Sequence, residues 1–446
     1  MPDVYSALTA LNRNVQTLLT QPPANLAFSK PEIRGQLLDD LLTTALFSVD
    51  PKIRFTSCQT IYRLAELFGV YSSSLHPLYT AFGQGKVKGF TVPAINIRTL
   101  TYDIARLIFR LIKKHQIGVV IFEIARSEIE YTKQQPSDYA IAILTAAMKE
   151  DYQGPVFLQG DHYQVRQHDF ADNQETELTS LKQLIEDSLE AKFRNIDIDA
   201  STLVNLKAPS VEKQQELNSQ VTALFTELIR AKQPKGETVS IGGEIGHIGG
   251  KKSSLADLTA FMDLYAASLP KGKTGLSKIS IQTGTSHGGT VLPDGSIKPI
   301  ELDFTLLHLL SAFARRKYKL GGAVQHGAST LPLAVFDHFV ANETLEVHLS
   351  TGLQNIVFEH LPESLKKEMY SYLTTKLATE RQEGQTEKQF LYTTRKIALG
   401  QFKKELWDLT DEEKSSILTS LETFLETIFL KLKIKDTKEI VQQYIP

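Results

Sequence analysis

The feature that most constrains the fold of this 446-residue chain is a regular alternation of short and long segments that begins near Phe90. The short segments are β-branched or apolar and of strand length, and helical patterns lie between them, which is typical of βαβ units in a parallel sheet. Eight such runs can be counted: Thr91–Asn96, Val119–Glu123, Pro155–Gly160, Asn195–Ile198, Thr238–Gly242, Lys278–Gln282, Gly321–Gln325 and Leu345–Leu349. Eight strands predict a closed α/β barrel of the (β/α)₈ TIM type, because an open doubly wound sheet more often stops at about five to seven strands.

Helical patterns precede and follow the alternating region. Apolar residues from Val4 to Leu18 recur at spacings of three and four, as in an amphipathic helix. Pro31 and Pro51 each suit the first turn of a further helix, and helix returns after Pro362. The terminal apolar stripes are expected to pack into the core or a subunit interface. The predicted division is an N-terminal helical extension at 1–85, a barrel at 86–361 and a C-terminal helical extension at 362–446.

Charge and cysteine content exclude several classes of partner. Lysine and arginine number 49 against 51 aspartate and glutamate, so no basic field exists to recruit nucleic acid or an acidic membrane surface. No apolar stretch approaches the roughly 18 residues needed to cross a bilayer, and the N-terminus lacks a signal-peptide pattern. The apolar, helical surroundings of the single cysteine, Cys58, favour a buried small hydrophobic residue over a reactive thiol. We expect a cytoplasmic homo-oligomer, a dimer or a tetramer.

Polar side chains occur at the C-terminal ends of the predicted strands, where the loops of such barrels build the active site. Asp161 and His162 follow the third predicted strand, Asp199 follows the fourth, and Glu244 ends the fifth. Histidines also stand at later positions along the same rim: His247, His287, His326 and His348. A single histidine is more often a structural residue with its hydrogen bonds satisfied, but several histidines beside a glutamate at one rim indicate a functional site. Imidazoles and a carboxylate suit Zn²⁺, with one coordination position open to a substrate oxygen.

Glycines after the sixth and seventh strands indicate an anion site. Gly288, Gly289 and Gly327 would let backbone N–H groups approach a phosphate, although glycines in tight turns explain the pattern equally well. The Gly-rich stretch 241–246 lacks the ordered G-x-G-x-x-G that opens a helix and the later acidic residue, so it does not predict a dinucleotide site.

Six short motifs in this order resemble the class II, metal-dependent ketose-bisphosphate aldolases, the fructose- and tagatose-bisphosphate aldolase family. The resemblance runs from about Phe90 to Leu361. Each motif is short, but together at barrel spacing they form a specific signal. They are VPAIN at 92–96, GDH at 160–162, IDAS at 198–201, EIGHIGG at 244–250, GTSHG at 284–288 and HGAS at 326–329.

The resemblance implies a metal-binding and catalytic set. His162, His287 and His326 would bind the catalytic zinc, with Glu244 as a ligand or close neighbour. Asp199 would belong to a second metal or to the outer shell, and a monovalent cation is a further cofactor to consider. Asp161 would be the proton donor to the aldehyde oxygen.

The resemblance also implies how the substrate is held. Gly288, Gly327 and Ser329 would hold one phosphate, with Thr351 reaching it from the last strand. Ser127, in a run similar to the family's SEGA segment, would hold the second phosphate or its sugar oxygen. The implied reaction is reversible cleavage of a phosphorylated ketose to dihydroxyacetone phosphate and an aldehyde, as a lyase of carbohydrate metabolism and glycolysis.

Two segments depart from the family pattern. Family members carry an acidic residue just after the ELGxxGG glycines, and this chain has Lys251 and Lys252, with Asp257 as an acidic candidate further along. The family's NxDT segment on the last strand is replaced by HLST, which begins at His348. The alternatives are therefore a non-catalytic or divergent relative that binds metal or sugar phosphate, and a zinc hydrolase, against which the glycine cradles argue.

Overall fold

The barrel predicted from the alternating pattern is confirmed. The structure is a computed structural model, which describes residues 30–246, 251–284, 291–293 and 302–445. Its strands are β1 Val70–Ser72, β2 Val92–Asn96, β3 Ile121–Ala125, β4 Gly154–Gln164, β5 Asn195–Asp199, β6 Ser240–Glu244, β7 Lys278–Ser280, β8 Ala323–Gln325 and β9 Glu346–Leu349. Strands β2 to β9 pair in parallel in chain order, and β9 pairs with β2, so the eight strands form a closed ring.

Helices surround this ring. Those of the barrel region are Thr101–Lys114, Arg126–Thr132, Pro136–Lys149, Gln167–Asp172, Gln174–Glu190, Val211–Lys232, Leu255–Ser268, Phe304–Tyr318, Phe336–Ala341 and Thr351–His360. Before it lie Lys30–Glu32, a π-helical turn Ile33–Leu37, Leu38–Phe47, Pro51–Phe68 and His76–Gly83. After it lie Glu363–Lys376, Glu387–Gln401, Lys403–Trp407, Asp411–Lys431 and Lys438–Gln442. No helix within the described residues is long and apolar enough to cross a membrane.

The described part of the N-terminal region, from Lys30 onward, is helical as predicted, except at one strand. In helix Pro51–Phe68, the Asp50 side chain accepts from two backbone N–H groups of the first turn, and Gly69 ends the helix at a φ of 73°. The chain then forms β1, whose Val70 pairs with Gly154 at the start of β4. Residues 30–80 are therefore not wholly helical, because Val70–Ser72 extend the barrel sheet. The stripe from Val4 to Leu18 lies outside the described residues, and the division into three regions stays a prediction.

Cys58 lies on this N-terminal helix and packs against the core while remaining partly exposed. Burial, followed by the charge of Asp138, raises the pKa of its thiol to about 11. The thiol therefore stays protonated at neutral pH, which agrees with a packing role rather than a reactive one.

The lower interior of the barrel is charged rather than apolar. Lys278 on β7 is fully buried, and its Nζ lies 2.9 Å from Asp197 Oδ2, 2.5 Å from Glu346 Oε1 and 2.8 Å from Gln159 Oε1. Burial alone would lower the pKa of Lys278, but Asp197 and Glu346 outweigh it and raise the pKa to about 12. The lysine thus remains charged and neutralises the carboxylates of Asp197 on β5 and Glu346 on β9.

We predict that Lys278→Met lowers the free energy of unfolding by about 3–5 kcal/mol, because it leaves buried carboxylates without their cation. Urea titration followed by circular dichroism measures this loss. The control is Lys317→Met, since Lys317 pairs with Asp263 only at the surface, at 3.8 Å, and its removal should leave stability unchanged. Equal stability of the two variants would show that the charged core does not stabilise the barrel.

Candidate active site

The floor of the candidate site lies one layer above the charged interior of the barrel. Each of its residues stands two positions after a residue of that interior on the same strand. Alternate side chains of a strand face the same side, so the barrel interior is filled in layers. Above Gln159, Asp197, Lys278 and Glu346 lie Asp161, Asp199, Ser280 and His348, in that order. All four are buried. The chemistry-bearing layer is therefore positioned by the same strands that hold the charged core.

Strand β4 extends further than the sequence predicts, and its irregularity brings two consecutive residues to the site. The prediction ended this strand at Gly160, but it continues to Gln164 because Asp161 pairs with β3 and Gln164 pairs with β5. The register shifts between Gly160 and Tyr163, and His162 has a φ of 39°. A bulge of this kind re-aims side chains, so Asp161 and His162 both reach the cavity. Gly160 is required here, because a Cβ would lie 2.4 Å from the Tyr163 ring.

Three imidazoles surround Asp161. Its Oδ1 lies 3.2 Å from His348 Nδ1 and 3.9 Å from both His162 Nε2 and His326 Nδ1. Its Oδ2 accepts a hydrogen bond of 2.9 Å from Asn96 Nδ2. The ring centroids of His162 and His326 are 3.9 Å apart, and those of His326 and His348 are 4.0 Å apart. The three rings therefore form one continuous cluster.

Each imidazole has a further polar neighbour through its other nitrogen. His162 Nδ1 lies 3.1 Å from Asp199 Oδ2 and 2.9 Å from Glu244 Oε2. His326 Nε2 lies 3.0 Å from Ser280 Oγ. His348 Nε2 lies 2.7 Å from Glu346 Oε1. Neighbours of this kind fix the ring orientation and the tautomer of metal-binding histidines.

Burial and the neighbouring charges shift the ionisation of the cluster in opposite directions. Burial would lower the pKa of His348, but Glu123 and Asp161 outweigh it and hold that pKa well above the ordinary value. Burial would raise the pKa of Asp161, but the three imidazoles hold it well below the ordinary value. Burial, followed by repulsion from Asp199, raises the pKa of Glu244 to about 7. Without a metal, the cluster is thus a set of ion pairs.

The donors of this cluster fit a metal ion. Ligand atoms of His162, Glu244 and His326 lie within 4.8 Å of one another, and so do those of Asp161, His326 and His348. Imidazole nitrogen and carboxylate oxygen are the donors that Zn²⁺ and related ions prefer. Asp161 Oδ1 and His348 Nδ1 are also buried without a hydrogen-bond partner among the described residues, so a cation would satisfy both. The predicted metal ligands His162, Glu244 and His326 therefore lie in one place, with Asp199 beside them.

A cavity of about 540 Å³ opens above this floor. Predicted substrate residues line it: Ser127, Gly327 and Thr351. Ser127 is exposed in the first turn of helix Arg126–Thr132, and Thr351 begins helix Thr351–His360. Ser329 is buried, and its Oγ accepts a hydrogen bond of 3.0 Å from Gly352 N, so it supports the wall of the cavity. His287 and Gly288 lie outside the described residues.

Cations on the cavity wall were missed by sequence reasoning. Arg98 donates to Glu128 Oε1 at 2.6 Å and to Gln354 Oε1 at 2.9 Å, and Arg166 pairs with carboxylates of neighbouring helices. Lys396 reaches the cavity from helix Glu387–Gln401, in the predicted C-terminal extension. It has no carboxylate partner within the part of the chain that the structure describes. No motif marks these residues, since only folding brings them to the barrel mouth.

The two departures from the family pattern occupy different places. Lys252 lies near the surface, where its Nζ contacts Asp303 Oδ2 at 2.9 Å. Asp257, the acidic candidate, is buried and accepts hydrogen bonds from Ser254 N at 2.9 Å and Ser254 Oγ at 2.5 Å. It caps helix Leu255–Ser268 and does not line the main cavity. His348, by contrast, belongs to the imidazole cluster.

Solved structures with a similar fold include proteins of sugar metabolism. A fructuronate-tagaturonate epimerase from Cohnella laeviribosi is 12% identical with a TM-score of 0.58, over 85% of this chain and 86% of that chain. A probable tagatose 6 phosphate kinase from Sinorhizobium meliloti is 13% identical with a TM-score of 0.53, over 79% and 99%. A fructose-bisphosphate aldolase from Campylobacter jejuni is 18% identical with a TM-score of 0.48, over 82% and 96%. At these identities the likeness to the epimerase and to the kinase shows the fold alone.

Comparison with curated protein sequences gave no match. The model of the class-II fructose-bisphosphate aldolase family matches residues 78–411. The match begins before Phe90 and ends beyond Leu361, so it includes helix Glu387–Gln401, which supplies Lys396 to the cavity. Because this match covers most of the sequence, the chain belongs to the class-II fructose-bisphosphate aldolase family.

Proposed function

We propose that this protein is a metal-dependent aldolase that reversibly cleaves a phosphorylated ketose to dihydroxyacetone phosphate and an aldehyde. The observation that carries the proposal is the cluster of His162, His326 and His348 around Asp161, at the floor of a cavity in a chain of this family. An aldolase needs an electrophile at one carbonyl and a proton carrier beside it, and this floor offers donors for the first and a carboxylate for the second.

The ion is proposed to be Zn²⁺, held by His162, His326 and Glu244, with His287 as the further ligand that the family resemblance implies. The mixed nitrogen and oxygen donors of His162, Glu244 and His326, whose ligand atoms lie within 4.8 Å of one another, support this choice. When bound, the ion would act as a Lewis acid toward the negative charge that develops on the substrate carbonyl as the carbon–carbon bond breaks.

Asp161 is proposed to carry the proton at the aldehyde oxygen. It lies on the cavity floor, and Asn96 Nδ2, which donates to Asp161 Oδ2, fixes the plane of its carboxylate. Asn96 is itself held by Glu128 Oε2 at 2.9 Å. A carboxylate fixed in this way can accept and return a proton at one place, which is what a reversible reaction requires.

Two regions of the cavity wall suit the ends of a phosphorylated substrate. On one side lie Gly327, with a φ of 72°, and Thr351, which begins helix Thr351–His360. On another, Ser127 and Lys396 line the cavity. A phosphate at each region would hold the ketose across the floor, so that its carbonyl lies over the imidazole cluster.

The second candidate function is a non-catalytic relative that binds metal or sugar phosphate. The observation that favours it is the pair Lys251 and Lys252, which stand where the family carries an acidic residue. Lys252 is engaged with Asp303, and Asp257 caps a helix, so neither position supplies a base to the cavity.

Triose phosphate release separates the two candidates. Purified protein is incubated with fructose 1,6-bisphosphate or tagatose 1,6-bisphosphate, with and without a chelator, and the released triose phosphate is followed by a coupled assay. We expect release that the chelator abolishes and added Zn²⁺ restores. Binding of both ketose phosphates without release would instead establish the non-catalytic function.

Asp161→Asn is expected to lower turnover by roughly 10²–10⁴-fold while the protein keeps its fold, because the amide cannot carry the proton. Steady-state kinetics and circular dichroism measure the two properties. Asp172→Asn, at the exposed end of helix Gln167–Asp172, serves as the control and should behave as wild type. Normal turnover of Asp161→Asn would contradict the proton-transfer role.

Lys396→Met is expected to raise KM for the phosphorylated ketose by roughly 10–100-fold, since a hydrogen bond to a charged group contributes about 1.5–3 kcal/mol. The matched control is Lys388→Met, because Lys388 is exposed on the same helix and does not line the cavity. The two KM values are compared under identical ionic strength. If both variants have the wild-type KM, Lys396 does not bind the substrate.

A further inference from the structure

His348 is held as metal-binding histidines are held. Its Nε2 lies 2.7 Å from Glu346 Oε1, and that carboxylate is fixed in turn by Lys278 Nζ at 2.5 Å and by Gln159 Nε2 at 3.0 Å. A carboxylate behind one imidazole nitrogen orients the ring and makes the other nitrogen a better ligand. The structure therefore presents His348 Nδ1 toward the cavity floor.

Three buried atoms converge on the space in front of His348 Nδ1. Asp161 Oδ1 lies 3.2 Å from it and Glu123 Oε1 lies 3.0 Å from it. None of these three atoms has a hydrogen-bond partner of good geometry within the described residues. Buried polar atoms are normally hydrogen-bonded, and a divalent cation in front of a neutral His348 would bind the lone pair of Nδ1 and neutralise both carboxylates.

The spacing fits a small divalent ion. Donor atoms of Asp161, His326 and His348 all lie within 4.8 Å of one another. Around a tetrahedral Zn²⁺ with bonds of about 2.0–2.1 Å, neighbouring donors are about 3.3 Å apart. The separation of 3.2 Å between His348 and Asp161 is already of that size, and the 3.9 Å between His326 and Asp161 needs only a small closure.

We propose that His348 is a ligand of the catalytic metal, and that with His326 it forms a binding position on the β9 side of the cavity, next to Asp161. The position shares His326 with the group of His162, Glu244 and His326. Its two imidazole nitrogen donors select Zn²⁺, Co²⁺ or a similar transition-metal ion over Mg²⁺ or Ca²⁺. The inference rests on the proposed function in one respect only, namely that this site binds a divalent metal ion.

The test is a titration of chelator-treated protein with Co²⁺, followed by visible absorption and by equilibrium dialysis. Wild type is expected to bind Co²⁺ with d–d absorption bands that a tenfold excess of Mg²⁺ leaves unchanged. His348→Asn is expected to lower the affinity by roughly 100-fold or more, since even the loss of a partner behind a ligand costs about 10–100-fold. His360→Asn is the control, because His360 contacts Ser420 Oγ at 2.9 Å on the protein surface.

Thermal unfolding with and without Co²⁺ shows whether each variant is folded, and His348→Gln replaces His348→Asn if the latter is not. A Co²⁺ affinity of the His348 variant equal to that of His360→Asn overturns the proposal. If wild type releases triose phosphate and the His348 variant keeps its metal, this inference fails while the aldolase function stands. If the His348 variant loses the metal and wild type releases no triose phosphate, the metal site stands and the aldolase function fails.

Discussion

The carboxylate of Glu346 joins the charged core of the barrel to its reactive floor. On one side it neutralises Lys278, the fully buried cation of the lower layer, and on the other it contacts His348. Burial would raise the pKa of Glu346, but Lys278 and His348 outweigh it and lower the pKa to about 2. A carboxylate that stays ionised in the interior can hold an imidazole in one orientation. The position of His348 in the site is therefore a consequence of how the core is neutralised.

The irregular end of β4 is the second constraint. Regular alternation would send Asp161 and His162 to opposite sides of the sheet. The register shift after Gly160, together with the φ of 39° at His162, places both on the cavity side. His162 then reaches Asp199 and Glu244 on the neighbouring strands, while Asp161 faces His326 and His348. The local distortion thus assembles two overlapping groups of donors from the strands β4, β6 and β9 and from the end of β8.

The sequence predicted the barrel and much of its floor because both follow from short-range patterns. The period of the strands fixes the eight-strand count, and barrel geometry then places strand ends such as Asp161, Asp199 and Glu244 at one rim. The strand β1 was missed because three residues after a helix carry no periodic signal. Lys396 was missed because its place in the cavity depends on how a late helix packs. The role of Asp257 at the start of its helix and the contacts of His348 were also not predicted, because both depend on the folded structure.

The central claim is that the imidazole cluster binds the metal on which the reaction depends. A crystal structure of the Zn²⁺-loaded protein, with anomalous data collected on both sides of the zinc absorption edge, tests it directly. The account predicts one strong anomalous peak at the cavity floor, within about 2.0–2.2 Å of His326 and of further donors among Asp161, His162, Glu244 and His348. If zinc instead occupies another place in the fully loaded protein, and the imidazole cluster keeps its ion pairs with Asp161, the account is contradicted.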